Sequence, residues 1–278
     1  MPTLQHKNAK IFYEDSGTGE PIITVHGMSF NNTYWSQSGI STKLSEHYRV
    51  ISMDMRGHGR TQVEGEPLGF EVDTIGDDIE ALANALGLQR FHLLGHSTGG
   101  MVAVRYAMRD SKRLISLMLT STSSATVLMS AGDESARRQR VKKFSDGFEK
   151  HTWDQILADF RQNPFPFFDS LVQHPNREFM WQTVEEILRL NDPKLIATFV
   201  RSFFTDPDPQ IKKLGQISCP TLILYGEHDS LFIEPSQLMA RTIPVVKYVV
   251  LKGVGHIIAI ESPARTCYEI LNFLKNLP

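Results

Sequence analysis

The segment FHLLGHSTGG at residues 91–100 constrains this chain more than any other stretch. A near-continuous apolar run stops at Gly95-His96-Ser97-Thr98-Gly99, and a helical pattern, GGMVAVRYAMRD, begins at once. An apolar run without alternation is what a parallel strand needs when both of its faces are covered. A strand that becomes a helix within so few residues needs a tight turn, and the glycines around Ser97 let the two elements approach without Cβ clashes. The segment therefore predicts a buried parallel sheet with one serine lifted above its edge.

The rest of the chain fits such a sheet. AKIFYEDSG, PIITVHG and YRVISMDMRGHG read as strands closed by turn signals. In VDTIGDDIEALANALGL the apolar residues Ile75, Ile79, Leu82 and Leu86 have helical spacing, and Gly87 falls just past the end. LISLMLTST is a further buried strand, so strand and helix alternate up to residue 124. From 125 to 205 the pattern is helical only, in SARRQRVKKFSDGFEKH, WDQILADF, NREFMWQTVEEILRL and PKLIATFVRSFF. Alternation then resumes in CPTLILYGEHD and KYVVLKGVGH, and SPARTCYEILNFLKNL closes the chain as a helix. The expectation is an α/β fold: a doubly wound, mostly parallel sheet formed by residues 1–124 and 206–278, with 125–205 inserted as a helical cap. A chain of 278 residues is long enough for one such domain.

Composition removes several function classes. A net charge of −2 offers no electrostatic case for nucleic acid or an anionic membrane as partner. Two cysteines, Cys219 and Cys267, do not make a disulfide framework and read as buried thiols of a reducing compartment. The polar start MPTLQHKNAK has no apolar core of a secretory signal, and no stretch approaches the roughly 18 apolar residues of a membrane span. A cytoplasmic location is the resulting expectation. The ten histidines show no ligand-type spacing with cysteines or carboxylates, so neither a metal nor an organic cofactor is expected. RRQRVKK at 137–143 packs five basic residues into seven, and with Asp133, Glu134 and Glu149 nearby it reads as a solvated helix face.

Gly95-x-Ser97-x-Gly99 between a strand and a helix is the setting of a nucleophile elbow. A hydroxyl is a weak nucleophile at neutral pH and needs a base, which in turn needs an orienting acid. His256 and Asp229 stand just beyond later strands, in the chain order expected for this architecture. Glu227 competes with Asp229 for the acid, and His228 adjoins both. The other place for an acid, after LISLMLT, reads STSSAT and holds no carboxylate. An oxyanion would need the backbone N–H of Thr98 and a second donor after an early strand, where Met28 follows Gly27. Among the large apolar residues of the cap, Phe165, Phe168 and Trp181 are the candidates for a pocket wall, and NPFPFFD is a candidate pocket edge.

With HGM at 26–28, DMRGHGR at 54–60, GHSTGG at 95–100, GEHD at 226–229 and GVGH at 253–256, the chain resembles the α/β-hydrolase superfamily over nearly its whole length. Within it, the resemblance is to the capped branch of 3-oxoadipate enol-lactonases, carboxylesterases and non-haem haloperoxidases. It implies a triad of Ser97, Asp229 and His256, oxyanion donors at Met28 and Thr98, and a structural role for the loop from Arg56 to His58. The implied activity is cofactor-free hydrolysis of a small-molecule ester, lactone or thioester. A ligand-binding protein with vestigial turnover, or perhydrolase or lyase chemistry, would use the same pocket. A serine at 97 departs from epoxide hydrolases and haloalkane dehalogenases, which carry a carboxylate there. Ile257 after the histidine departs from the tryptophan usual in ring-cleavage hydrolases.

Overall fold

In a computed structural model that describes residues 2–65, 69–124, 133–204 and 210–277, all the expected strands join one mostly parallel sheet. The strands are β1 (Thr3–His6), β2 (Ala9–Ser16), β3 (Pro21–Val25), β4 (Arg49–Met53), β5 (Gln62–Val63), β6 (Phe91–His96), β7 (Leu114–Thr120), β8 (Thr221–Gly226) and β9 (Val246–Leu251). They lie in the order β1-β2-β4-β3-β6-β7-β8-β9, with β5 paired to β2. Pairing is antiparallel around β2 and parallel from β4 to β9. The apolar runs read as doubly covered strands are just that, since every residue of β6 and β8 is buried. β1 and β5 carry no apolar run, and pairing to β2 is what makes them strands.

The helices are α1 (Thr33–Gln37), α2 (Ile40–Leu44), α3 (Val72–Ala85), α4 (Thr98–Arg109), α5 (Glu134–Glu149), α6 (Trp153–Gln162), α7 (Arg177–Leu188), α8 (Pro193–Phe203), α9 (Ile233–Thr242), α10 (Ile258–Glu261) and α11 (Pro263–Lys275). None among the described residues is long and apolar enough to cross a membrane. From β3 the chain runs outward to β4 and then returns to the opposite neighbour, β6. The sheet therefore has its topological switch point between β3 and β6, and in such sheets ligands bind beyond the strand carboxyl ends at that point.

Between β7 and β8 the described residues form helices α5 to α8 and two short 3-10 turns, Asp169–Gln173 and Ile211–Gln216, with no strand. The junctions expected at 125 and at 205–206 lie outside the described residues. α8 shows how sequence builds this layer. Asp192 caps it by accepting from Lys194 N at 2.9 Å, Pro193 opens it, and Ile196, Phe199, Val200 and Phe203 form its buried stripe. Asn191 ties the layer to the sheet edge. Its Nδ2 donates to Ser29 O at 2.7 Å, its Oδ1 accepts from Gly59 N at 2.8 Å, and its carbonyl accepts from Trp153 Nε1 at 2.7 Å.

In the same loop after β4, fully buried Arg56 clamps Asp78 of α3, with Nε to Oδ2 at 2.6 Å and Nη2 to Oδ1 at 2.9 Å. Arg56 also donates to Asn8 Oδ1 and His6 O, so one guanidinium joins the β1–β2 turn, the loop after β4 and α3. Its side chain is accordingly part of the frame. Removing one partner of such a pair strands a buried charge, and Asp78→Ala should lower unfolding free energy by about 3–5 kcal/mol. Urea denaturation checks this; a loss below about 1 kcal/mol would show that solvent or relaxation meets the stranded guanidinium.

Candidate active site

Ser97 stands at the end of β6 with φ +52° and ψ −119°, a conformation that costs a non-glycine residue energy. The surroundings hold it there. Ser97 N donates to Thr120 O at 3.0 Å, and Ser97 O accepts from Thr122 Oγ1 at 2.6 Å and Met101 N at 3.0 Å. Two glycines are required by contact. A Cβ at Gly95 would lie 2.6 Å from Gly99 O, and one at Gly99 would lie 2.3 Å from His26 O. The turn is thus pressed against both α4 and the end of β3.

Because β6, β8 and β9 are parallel, the loops after them open on the same edge. They bring Ser97, Asp229 and His256 together. His256 Nε2 is 3.1 Å from Ser97 Oγ, and His256 Nδ1 is 3.0 Å from Asp229 Oδ2. With Nδ1–H donating to the carboxylate, Nε2 is free to accept from the serine hydroxyl. All three side chains are buried. Asp229 Oδ1 has no hydrogen-bond partner among the described residues. Glu227 is turned away: it pairs with Lys252 at 2.7 Å and accepts from Gly253 N at 3.0 Å. The Lys252 hydrogen bond holds its carboxyl below the usual range. His228 is exposed. The geometry thus puts Asp229, the acid expected ahead of Glu227, on the imidazole.

Met28 and Thr98 both line the small cavity that holds Ser97 and His256. Among the described residues neither amide donates to an acceptor, so both remain available to an oxyanion. The loop that carries Met28 is braced by two buried histidines. His26 Nδ1 donates to Gly27 O at 2.7 Å while its Nε2 accepts from Met55 N at 3.0 Å. His58 Nδ1 donates to Arg56 O at 3.0 Å while its Nε2 accepts from Ser29 N at 3.1 Å. Each ring is used as donor and acceptor at once, which requires the neutral form. Burial pushes His58 down to about 4 and His26 well below its ordinary value. His96, stacked on Tyr34 at 4.6 Å, is lowered by burial and by nearby His256. Asp54 anchors the far end of the loop, accepting from Asn32 N at 2.6 Å and Arg60 N at 2.8 Å.

Phe167, within the NPFPFFD segment expected as a pocket edge, packs on the His256 ring at 4.8 Å. Two other neighbours escaped sequence reasoning. Phe232 packs on the same ring at 5.0 Å. Phe232 lies three residues past Asp229, where its amide closes a turn onto Asp229 O, and that short spacing was its one sequence signal. Glu261 accepts from Gly255 N at 2.7 Å and Ile257 N at 3.0 Å, bracketing His256 from both sides. A backbone contact of this kind leaves no sequence signature. Of the pocket candidates, Phe168 lines the small cavity and Phe165 a larger cleft beside it. Trp181 lines neither; it is buried behind Phe168, at 5.6 Å, with the Arg161 guanidinium over its ring.

The family described as alpha/beta hydrolase fold matches residues 20–263. The chain is 30% identical over 244 residues to a non-heme chloroperoxidase of Burkholderia pyrrocinia, covering 83% of each chain. A thermophilic esterase from Thermogutta terrifontis superposes with a TM-score of 0.75 at 27% identity, over 97% of this chain and 94% of that one. The enol-lactonase from Burkholderia xenovorans LB400 shares the fold, with a TM-score of 0.79 at 18% identity over 99% and 100% of the two chains.

The neutral histidines make stability depend on acid. A folded-state value below the unfolded one means that stability is complete above the unfolded value, near 6.5, and is lost as pH falls toward the folded value. For His58 alone the loss between pH 7.5 and 5 is about 2 kcal/mol, and His26 and His96 act in the same direction. Asp54, raised by burial to about 6, works oppositely below that pH and offsets only part of this. The urea midpoint should therefore fall from pH 7.5 to pH 5; a flat or rising midpoint would contradict the neutral-brace assignment.

Proposed function

Since the chain belongs to the alpha/beta hydrolase fold family, we propose that it is a cofactor-independent serine hydrolase, acting on a carboxylic ester, lactone or thioester through an acyl-enzyme on Ser97. The observation that carries this reading is the unbroken Ser97–His256–Asp229 hydrogen-bond chain beside two unoccupied amides. The similarity to a thermophilic esterase supports it.

In the first half-reaction Ser97 Oγ bonds to the carbonyl carbon while His256 Nε2 takes the hydroxyl proton. The Met28 and Thr98 amides receive the negative charge that develops on the carbonyl oxygen. The tetrahedral adduct collapses as the C–O bond breaks, and the leaving oxygen takes its proton from His256. Asp229 holds the imidazole in the tautomer that places the lone pair at Nε2 and stabilises the imidazolium. In the second half-reaction water attacks the acyl carbon, gives its proton to His256, and the acid leaves as Ser97 regains its hydrogen. Helices α5–α8, within 125–205, serve as the lid that excludes bulk water and shapes the substrate cavity. The similarity to a chloroperoxidase favours one variation, in which hydrogen peroxide replaces water at the second step and releases a peracid.

Ser97→Ala removes the nucleophile with little change in packing, so ester turnover should fall by at least about three decades while the fold persists. Near wild-type turnover of a folded, contaminant-free variant would reject the mechanism. Asp229→Asn should cost about three to four decades by allowing the wrong tautomer. Glu227→Gln should stay within about threefold, because that carboxylate is an exposed ion-pair partner. The reverse ranking of the two would move the acid to Glu227.

A further inference from the structure

Two cavities of very different size meet beside Ser97. The one holding Ser97, Thr98 and His256 is about 30 Å³, room for about two water molecules. The other, about 730 Å³, lies among α5, α6 and the segment after α6. Met28, Phe167 and Phe204 wall both, so the larger space adjoins the one over Ser97 across these three side chains.

The proton path says which half of an ester goes where. The leaving oxygen is protonated by His256 Nε2 and must sit on the histidine side. Phe167 packs on the His256 ring and continues as a wall of the large cleft. Leu231, next to the Phe232 stacked on the same ring, walls that cleft too. By contrast Phe30, Thr98 and Met101 close the small cavity and take no part in the large one. Resting on the hydrolytic reading above, we infer that the substrates are esters joining a short acyl group, near acetyl in size, to a bulky apolar alcohol that fills the 730 Å³ cleft.

The walls of the cleft fit that alcohol. Phe144, Phe148, Ile156 and Phe160 supply apolar surface, while the charged residues, Arg140, Lys143 and Asp159, are of mixed sign. Selection is therefore by size and apolarity. Gly147 of α5 gives a direct means of filling the space: a Cβ there meets nothing within 4 Å, and leucine suits a helix better than glycine.

Octyl acetate and ethyl octanoate are isomers that differ in which side carries the chain. Hydrolysis followed by pH-stat should favour octyl acetate in kcat/KM by about 30-fold or more, the scale of losing a few apolar contacts. Gly147→Leu should lower octyl acetate by about tenfold and leave ethyl acetate within about twofold, with Gly147→Ala losing less than the leucine variant. Equal rates for the isomers, a preference for ethyl octanoate, or an equal loss on ethyl acetate in Gly147→Leu would overturn the partition and leave hydrolysis standing. Turnover of none of the three esters, with no fluorophosphonate adduct at Ser97, would instead overturn the hydrolytic reading and this inference with it.

Discussion

The backbone of the turn after β6 approaches the end of β3 more closely than any side chain permits. Gly99 faces His26 O across a gap in which a Cβ would lie 2.3 Å away. From that contact follow the left-handed φ of Ser97, the projection of its hydroxyl above the sheet, and the juxtaposition of the Thr98 amide with the loop that carries Met28. The strain is sustained because the hydrogen bonds from Thr122 Oγ1 and Met101 N to Ser97 O, and from Ser97 N to Thr120 O, leave the turn no alternative. A wider contact would relax the turn and separate the serine from both histidine and amides.

Around this turn the protein uses neutral polar groups where charged ones would be expensive. His26, His58 and His96 lie where solvation is absent, and the first two are each satisfied as one donor and one acceptor. An imidazole held so is a rigid spacer between backbone segments, and protonation would cost both the acceptor bond and the burial of a charge. His256 differs in having Asp229 on one nitrogen and Ser97 on the other, so a positive charge formed there meets a carboxylate. Position relative to one buried acid separates the His256 imidazole from the two that brace.

The helical layer completes the site from above. Phe167 reaches the His256 ring, Asn191 joins the layer to the loops at Ser29 and Gly59, and Phe199 meets His58 edge-on at 4.6 Å. These contacts make the walls of the cavities a joint product of sheet-edge loops and helices. In the 137–143 run, Arg138 pairs with Glu134 and Lys142 with Asp146, while Arg140 and Lys143, exposed as expected of a solvated face, also line the large space.

How much of this was legible beforehand depends on the range of the signal. The buried strands, the elbow glycines, and Ser97, Asp229 and His256 in their order could be read because each is a local pattern: an apolar run, a turn residue, a polar group at a strand end. Parallel pairing then places the ends of β6, β8 and β9 on one edge, so local patterns suffice to bring Ser97, Asp229 and His256 together. The sequence ranks Asp229 ahead of Glu227 although both follow the same strand, and the structure separates them by pairing Asp229 with His256 and Glu227 with Lys252. Trp181 and Phe168 have the same composition signal, yet one packs behind the other, since burial is decided by the neighbouring helix. The bracketing of His256 by Glu261, the bracing by His26 and His58, and the sizes of the two cavities are contacts between distant segments. A one-dimensional pattern fixes which residues an element offers to its faces, and the tertiary structure alone decides what those faces meet.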